Sequence, residues 1–195
     1  MKREDLFELV DASTALQLLK AGNQNFVNDC PAAPSSGSVQ RKLLAEKGQC
    51  PFAVILSCSD SRVSPEIVFD VGIGQLFVVR TAGNVVDAIA IGSVEYAVEH
   101  LHSRLVVVLG HSKCGAVAAA MDGGDQTLNI ESIIAEIPHC CNKMRKAGGC
   151  ENENVRHTVA RLMESAVLAE HVRKKELVIV GAKYNLETGE VDFGI

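Results

Sequence analysis

Four short runs rich in valine, isoleucine and leucine, over 52–57, 76–80, 105–109 and 177–180, constrain the fold of this chain more than anything else in it. None alternates regularly between apolar and polar residues. Each therefore has to be covered on both faces, as strands of a parallel sheet are when helices pack above and below. The stretches between the runs carry helical spacing. An amphipathic helix is predicted over 14–26, with Ala15, Leu16, Leu18, Leu19 and Phe26 as its apolar side chains and Asp11, Ser13 or Thr14 as its cap. A loop or arm holding Pro31, Pro34 and Gly37 follows, then a short helix over 40–46 closed by Gly48. Further helices are predicted over 87–100, from Gly115 through Met121 up to the Gly123-Gly124 break, over 130–144 and over 155–173. A turn at Thr188-Gly189 leaves room for a short edge strand at 191–193.

The expectation is one compact α/β domain: a four-stranded, mainly parallel central sheet with a possible edge strand, flanked by helices. Residues 1–50 read as an N-terminal helical arm and 51–195 as the α/β domain proper. The arm has so little core of its own that it must lie on something larger, in its own subunit or a partner's.

Composition closes off several classes. A chain of 195 residues, 47% of them hydrophobic, can build one sizeable core without staples. Its 19 basic against 24 acidic residues give a net charge of -5, which argues against nucleic acid as a partner. No apolar stretch approaches the ~20 residues that span a bilayer, and the Met-Lys-Arg-Glu-Asp-Leu start lacks an apolar region behind its basic pair. The expected setting is cytoplasmic, with no membrane partner. Seven cysteines are an odd number for a fully paired disulfide framework, so the default readings are buried small hydrophobes or metal ligands.

The polar residues choose between those readings. In open α/β sheets, ligands bind beyond the carboxyl ends of the strands. Cys58, Asp60 and Arg62 follow the first run directly, Arg80 closes the second, and His111 and Cys114 follow the third. Two thiolates and an imidazole are a soft ligand set suited to zinc, and three protein ligands leave a fourth position open, the catalytic arrangement. HxxC alone is weak evidence. With a second strand-end cysteine, and Asp60 and Arg62 two and four residues beyond it, the pattern becomes specific.

Rival chemistries fit less well. A nucleotide site wants a glycine-rich loop where Cys-Ser-Asp-Ser-Arg stands, and a redox dithiol wants CxxC, which does not occur. His139-Cys140-Cys141 and Cys150 match no knuckle spacing and read as thiols between helices rather than a second zinc site; Cys30 and Cys50 are assigned no metal. His100, His102, His157 and His171 read as surface or satisfied-core residues. A structural zinc protein remains an alternative if Asp60 closes the site permanently. Asp60 and Arg62 also have a purely architectural reading as an ion pair. Arg80 either fastens cleft loops or binds an anion, and Gly83-Asn84 either makes a tight turn or turns backbone N–H groups toward a substrate oxygen.

The segments Cys58-Ser59-Asp60-Ser61-Arg62, Val79-Arg80-Thr81-Ala82-Gly83-Asn84 and Gly110-His111-Ser112-Lys113-Cys114-Gly115-Ala116 together resemble the signature segments of the β-class carbonic anhydrases. The similarity runs from about residue 52 to 121 and returns weakly at Gly181-Ala182-x-Tyr184. By that resemblance, residues 51–195 form a catalytic domain holding one Zn2+ per subunit on Cys58, His111 and Cys114. The implied reaction is reversible hydration of carbon dioxide to bicarbonate and a proton by a zinc-activated hydroxide. Asp60 would orient the hydroxide, Arg62 would hold Asp60 ionised, and Arg80 and Gly83 would contribute to anion binding or substrate positioning. The functional unit would be a homodimer or a dimer of dimers, with the N-terminal helices reaching over the partner. The resemblance also implies that Asp60 can move onto zinc. The tryptophan of the family's non-catalytic bicarbonate pocket aligns with Ile55 here, which favours the water-bound form. The nearest enzymatic alternative is hydrolysis of carbonyl sulfide or carbon disulfide on the same scaffold.

Overall fold

The computed structural model describes residues 10–32, 36–124, 126–139 and 149–195. Helix α1, Ala12–Val27, starts where Asp11 accepts a hydrogen bond from the Thr14 backbone N–H, which selects one of the three candidate caps. It buries Ala15, Leu19 and Gly22 against the sheet of its own subunit. Gly22 lies so close to the Phe69 carbonyl that a Cβ there would meet it at 1.8 Å. Helix α2, Ser38–Lys47, buries no side chain. Of the two arm helices, α1 thus belongs to its own domain's core and α2 lies on the outside.

The sheet follows with β1 (Ala53–Cys58), β2 (Leu76–Thr81), β3 (Leu105–His111), β4 (Val178–Tyr184) and β5 (Val191–Asp192) in the order β2-β1-β3-β4-β5. The first four strands are parallel, and β5 pairs antiparallel with β4 through Tyr184 and Val191, as the edge-strand reading requires. β1 and β3 are buried along their whole length, which explains their unbroken apolar sequence. Alternate residues feed two cores. Val54, Leu56, Val106 and Val108 face α4 (Ala88–Leu101), α7 (Gly149–Met163) and α8 (Ala166–Arg173), while Ile55, Val107 and Leu109 face α1 and the residues around Phe69.

Three elements differ from the sequence expectation. A four-residue helix α3, Pro65–Val68, is too short to show a period, although Pro65 suits its first position. The helix expected over 155–173 is two, because Ser165 ends α7 by capping α8, accepting from the Leu168 N–H at 3.2 Å. The helix expected over 130–144 runs as α6, Leu128–Ala135, after α5, Gly115–Asp122; the second half of that expectation lies outside the described residues.

Order β2-β1-β3-β4 makes the chain leave β1 toward one edge and β3 toward the other. The crevice between the carboxyl ends of β1 and β3 is therefore the topological switch point, where such sheets bind ligands.

Candidate metal centre

Cys58 is the last residue of β1, His111 the last of β3, and Cys114 stands immediately before α5. All three are buried, and their ligand atoms lie within 4.8 Å of one another. That is close enough for one cation at zinc–ligand lengths of about 2.0–2.3 Å. His111 is prepared for the task. Its Nδ1 sits 3.0 Å from the Ser112 carbonyl oxygen, which can only accept, so Nδ1 carries the proton. Its Nε2 is buried and has no hydrogen-bond partner, an orphan that a metal ion would satisfy.

The two sulfurs share one proton, the contact favouring a Cys58 thiolate beside a Cys114 thiol. The Cys114 thiol beside Cys58 holds the Cys58 pKa down to about 4, against the opposing effect of burial, with help from His111 and the Asp60 and Gly83 amides. The same contact, reinforced by burial, pushes Cys114 up, while the Val117 and Ala116 amides at the start of α5 pull the other way. Burial disfavours a charged His111 ring, yet the adjoining Cys58 sulfur raises its pKa overall. A divalent cation would replace the shared proton and take both sulfurs as thiolates. The donor set fits zinc by softness, number and burial.

Asp60 stands at the mouth of this cluster, its Oδ2 3.8 Å from His111 Nε2. Arg62 grips it three ways: backbone N and Nε donate to Oδ1 at 2.9 Å, and Nη2 donates to Oδ2 at 2.7 Å. This clamp holds the Asp60 pKa well below the usual carboxylate range, against the opposing effect of burial. Arg62 Nη2 also reaches the Lys113 carbonyl at 3.3 Å, tying the β1 loop to the β3 loop.

Arg80 Nε donates to the Cys58 carbonyl at 3.1 Å and Nη2 to the Asp60 carbonyl at 2.8 Å. These two contacts fasten the turn from Cys58 to Asp60. Gly83 lies in a 3-10 turn, Ala82–Asn84, with φ of 71°. Its N–H donates to Cys58 Sγ at 3.2 Å, and Asp60 N–H approaches the same sulfur at 3.4 Å. The Gly83 amide is therefore engaged by the Cys58 sulfur.

Elsewhere, His100, His102 and His139 are exposed and His157 and His171 half-buried, all apart from this cluster. Cys30 is an exposed free thiol, and Cys50 is half-buried and apart from the metal cluster. Cys150, expected as a thiol, is disulfide-bonded; Cys140 and Cys141 lie outside the described residues. The sequence gives no sign of the α7 residues that reach the site. Glu151 accepts from the Lys113 N–H at 3.2 Å, Asn154 Nδ2 donates to the Gly83 carbonyl at 2.7 Å, and Thr158 Oγ1 donates to the Asn84 carbonyl at 3.2 Å.

A protein-family model described as "Carbonic anhydrase" matches residues 53–191. The chain is 43% identical over 185 residues to carbonic anhydrase 2 of Mycobacterium tuberculosis, covering 90% of this chain and 89% of that one. It is 42% identical over 188 residues to a carbonic anhydrase of Mycolicibacterium smegmatis, covering 91% of each. Among solved structures, one of two tetrameric β-carbonic anhydrases from Sordaria macrospora superposes with a TM-score of 0.70 at 25% identity, covering 80% of this chain and 86% of that one. A Coccomyxa β-carbonic anhydrase in complex with acetazolamide gives 0.68 at 25% identity, covering 92% and 85%.

Proposed function

We propose, from the premise that the chain belongs to the β-class carbonic anhydrase family, that it catalyses zinc-dependent reversible hydration of carbon dioxide to bicarbonate and a proton. The observation that carries this reading is the convergence of three buried soft donors with a clamped, ionised carboxylate at their mouth. Cys58, His111 and Cys114 would hold one zinc per subunit. When bound there, zinc supplies the Lewis acidity that makes a water nucleophilic near neutral pH.

The protein's own residues do the rest. His111 presents Nε2 because the Ser112 carbonyl holds the proton on Nδ1. Asp60, kept ionised and immobile by Arg62, accepts a hydrogen bond from the attacking oxygen and so aims its lone pair at the carbon of carbon dioxide. Arg80 fixes the turn from Cys58 to Asp60 by its two carbonyl contacts, so the carboxylate does not drift from the donor cluster. Burial of the three donors shields them from bulk water. Asp60 remains engaged with Arg62 rather than joining the donor group, which favours a catalytic over a permanently closed structural centre.

A homodimer or dimer of dimers is the expected assembly. Supporting it are an α2 without buried side chains, the 82% exposed Val39 at its start, and the tetrameric Sordaria structures. No described helix is long and apolar enough to cross a membrane. The proposed cytoplasmic setting rests on ligand cysteines that must stay reduced to bind metal, against which the Cys150 disulfide weighs.

Stopped-flow hydration of carbon dioxide by zinc-verified protein, across pH ~6.5 to 9 to bracket the pKa of ~7 expected for water on catalytic zinc, tests the reading. Rapid turnover is the expected result. Stoichiometric zinc with no turnover anywhere in that range overturns it and directs the same sample to carbonyl sulfide and carbon disulfide.

A further inference from the structure

Behind the metal cluster, α7 turns a polar stripe toward the loops that carry it. Glu151, Asn154 and Thr158 are spaced i, i+3, i+7, so they share one helix face. Each makes its contact with a residue in left-handed backbone: Glu151 with Lys113 (φ 55°), Asn154 with Gly83 (φ 71°) and Thr158 with Asn84 (φ 47°). Lys113 lies between the ligands His111 and Cys114, and Gly83 donates to the ligand Cys58. Left-handed backbone at the non-glycine residues Lys113 and Asn84 persists only where the surroundings hold it, and α7 supplies one contact to each of the three.

Asn154 has the most direct route. It is fully buried, and its Nδ2 lies 2.7 Å from the Gly83 carbonyl, an acceptor, so the amide is oriented with its donor toward the turn. Its Oδ1 is buried without a partner, so nothing else in the described residues explains a polar side chain there. The carbonyl that Asn154 holds and the N–H that Cys58 Sγ accepts belong to the same residue, Gly83, on either side of one Cα. The two groups lie in neighbouring peptide planes hinged at that Cα, so holding the carbonyl restrains the turn that aims the N–H. An N–H donated to a thiolate withdraws charge from the sulfur. That matters at a centre with two thiolates, because strongly donating sulfurs weaken the Lewis acidity the reaction needs.

We propose that Asn154 is a positioning residue that sets, through Gly83, the hydrogen bond accepted by the Cys58 thiolate and hence the electron donation of that sulfur to the metal. Thr158 steadies the same turn one residue later. The proposal rests on the zinc-centre reading above, but its test does not depend on turnover.

The test uses the full chain loaded with Co2+ in place of zinc, comparing the sulfur-to-cobalt charge-transfer band of wild type and Asn154→Leu, which keeps side-chain size and removes the donor. A sulfur that loses its N–H bond is a stronger donor, so the band is expected at lower energy in the variant. Zinc affinity by chelator competition should fall by about 10–100-fold, the usual loss for an outer-shell partner of a metal ligand. A residue that merely packs would lower thermal stability and leave the band of the folded, loaded protein in place. An unmoved band in folded Asn154→Leu therefore overturns the proposal. If that variant does not fold, Thr158→Val decides: it removes one hydroxyl at nearly constant shape and should move the band in the same direction by less, and an unmoved band there is equally fatal. Failure of wild-type protein to show any sulfur-to-cobalt band would instead sink the metal-centre reading itself.

Discussion

Among the described residues, two histidines form ion-pair contacts with carboxylates, and one of them belongs to a candidate site. His171, at the end of α8, has both ring nitrogens engaged: Nε2 with Glu99 on α4 and Nδ1 with Glu176 at 3.0 Å. The cluster lies at the surface, where ion pairs are screened and contribute little. His111, at the end of β3, is buried, has Nδ1 on a backbone carbonyl, and keeps Nε2 unpartnered toward two sulfurs. Its neighbouring carboxylate, Asp60, is held off by Arg62 instead of closing on the ring. An available, desolvated donor therefore distinguishes a site from a surface bridge. The mere company of histidine and acid does not.

The largest expected effect breaks this contrast at its centre. His111→Ala should reduce zinc from one equivalent to near none and abolish carbon dioxide hydration, a loss beyond the ~10–100-fold typical of an outer-shell partner; metal analysis and stopped-flow rates check both. Asp60→Asn should retain zinc and lower kcat by about 10²–10⁴-fold, the range for a positioned proton acceptor.

The pH dependence of Asp60 has a definite sign. Its folded pKa is depressed, so its contribution to stability is complete above the ordinary carboxylate pKa of ~4 and disappears as pH falls through the lowered value. The stability difference between wild type and Asp60→Asn, from urea unfolding, should be flat from pH ~5 to 8 and shrink only below ~4. A difference that changes through neutrality would mean the Arg62 clamp does not hold in solution.

Gly83→Ala ranks next. A side chain at φ 71° is strained, and its Cβ would stand 3.1 Å from both Ala116 Cβ and Ile137 Cδ1. Backbone strain of this kind costs about 1–3 kcal/mol, measurable as a lower urea midpoint. Because the Gly83 N–H serves Cys58, weaker zinc retention should accompany the lost stability.

What the sequence makes legible follows from the range of the forces involved. The unbroken apolar runs at β1 and β3 announce burial on both faces, and the polar residues just after them announce the carboxyl edge; both signals are local. The convergence of Cys58, His111 and Cys114 follows once strand ends share an edge, although the two cysteines are 56 residues apart. The Asn154 and Thr158 contacts are different, reaching 71 and 74 residues along the chain to two carbonyls. An asparagine and a threonine on an amphipathic helix look like ordinary polar positions until the fold supplies their partners. The fastening contacts of Arg80 are likewise invisible in sequence, because the Cys58 and Asp60 backbone carbonyls that take its donors have no sequence signature.

The smallest expected effect returns to the outer histidine. Glu99→Gln removes one of the two carboxylates on His171 and leaves the ring half-partnered at the surface. The Glu99 pKa is lowered chiefly by its hydrogen bond to His171, so what it contributes is present above the ordinary carboxylate range and fades only in acid. Melting near neutral pH should fall slightly at low ionic strength, and the difference should narrow in 1 M salt, where the screening length is about 3 Å. Zinc content and hydration rate should match wild type. If Glu99→Gln instead altered metal retention, His171 and His111 would be coupled across the sheet, and partner availability would no longer separate the two.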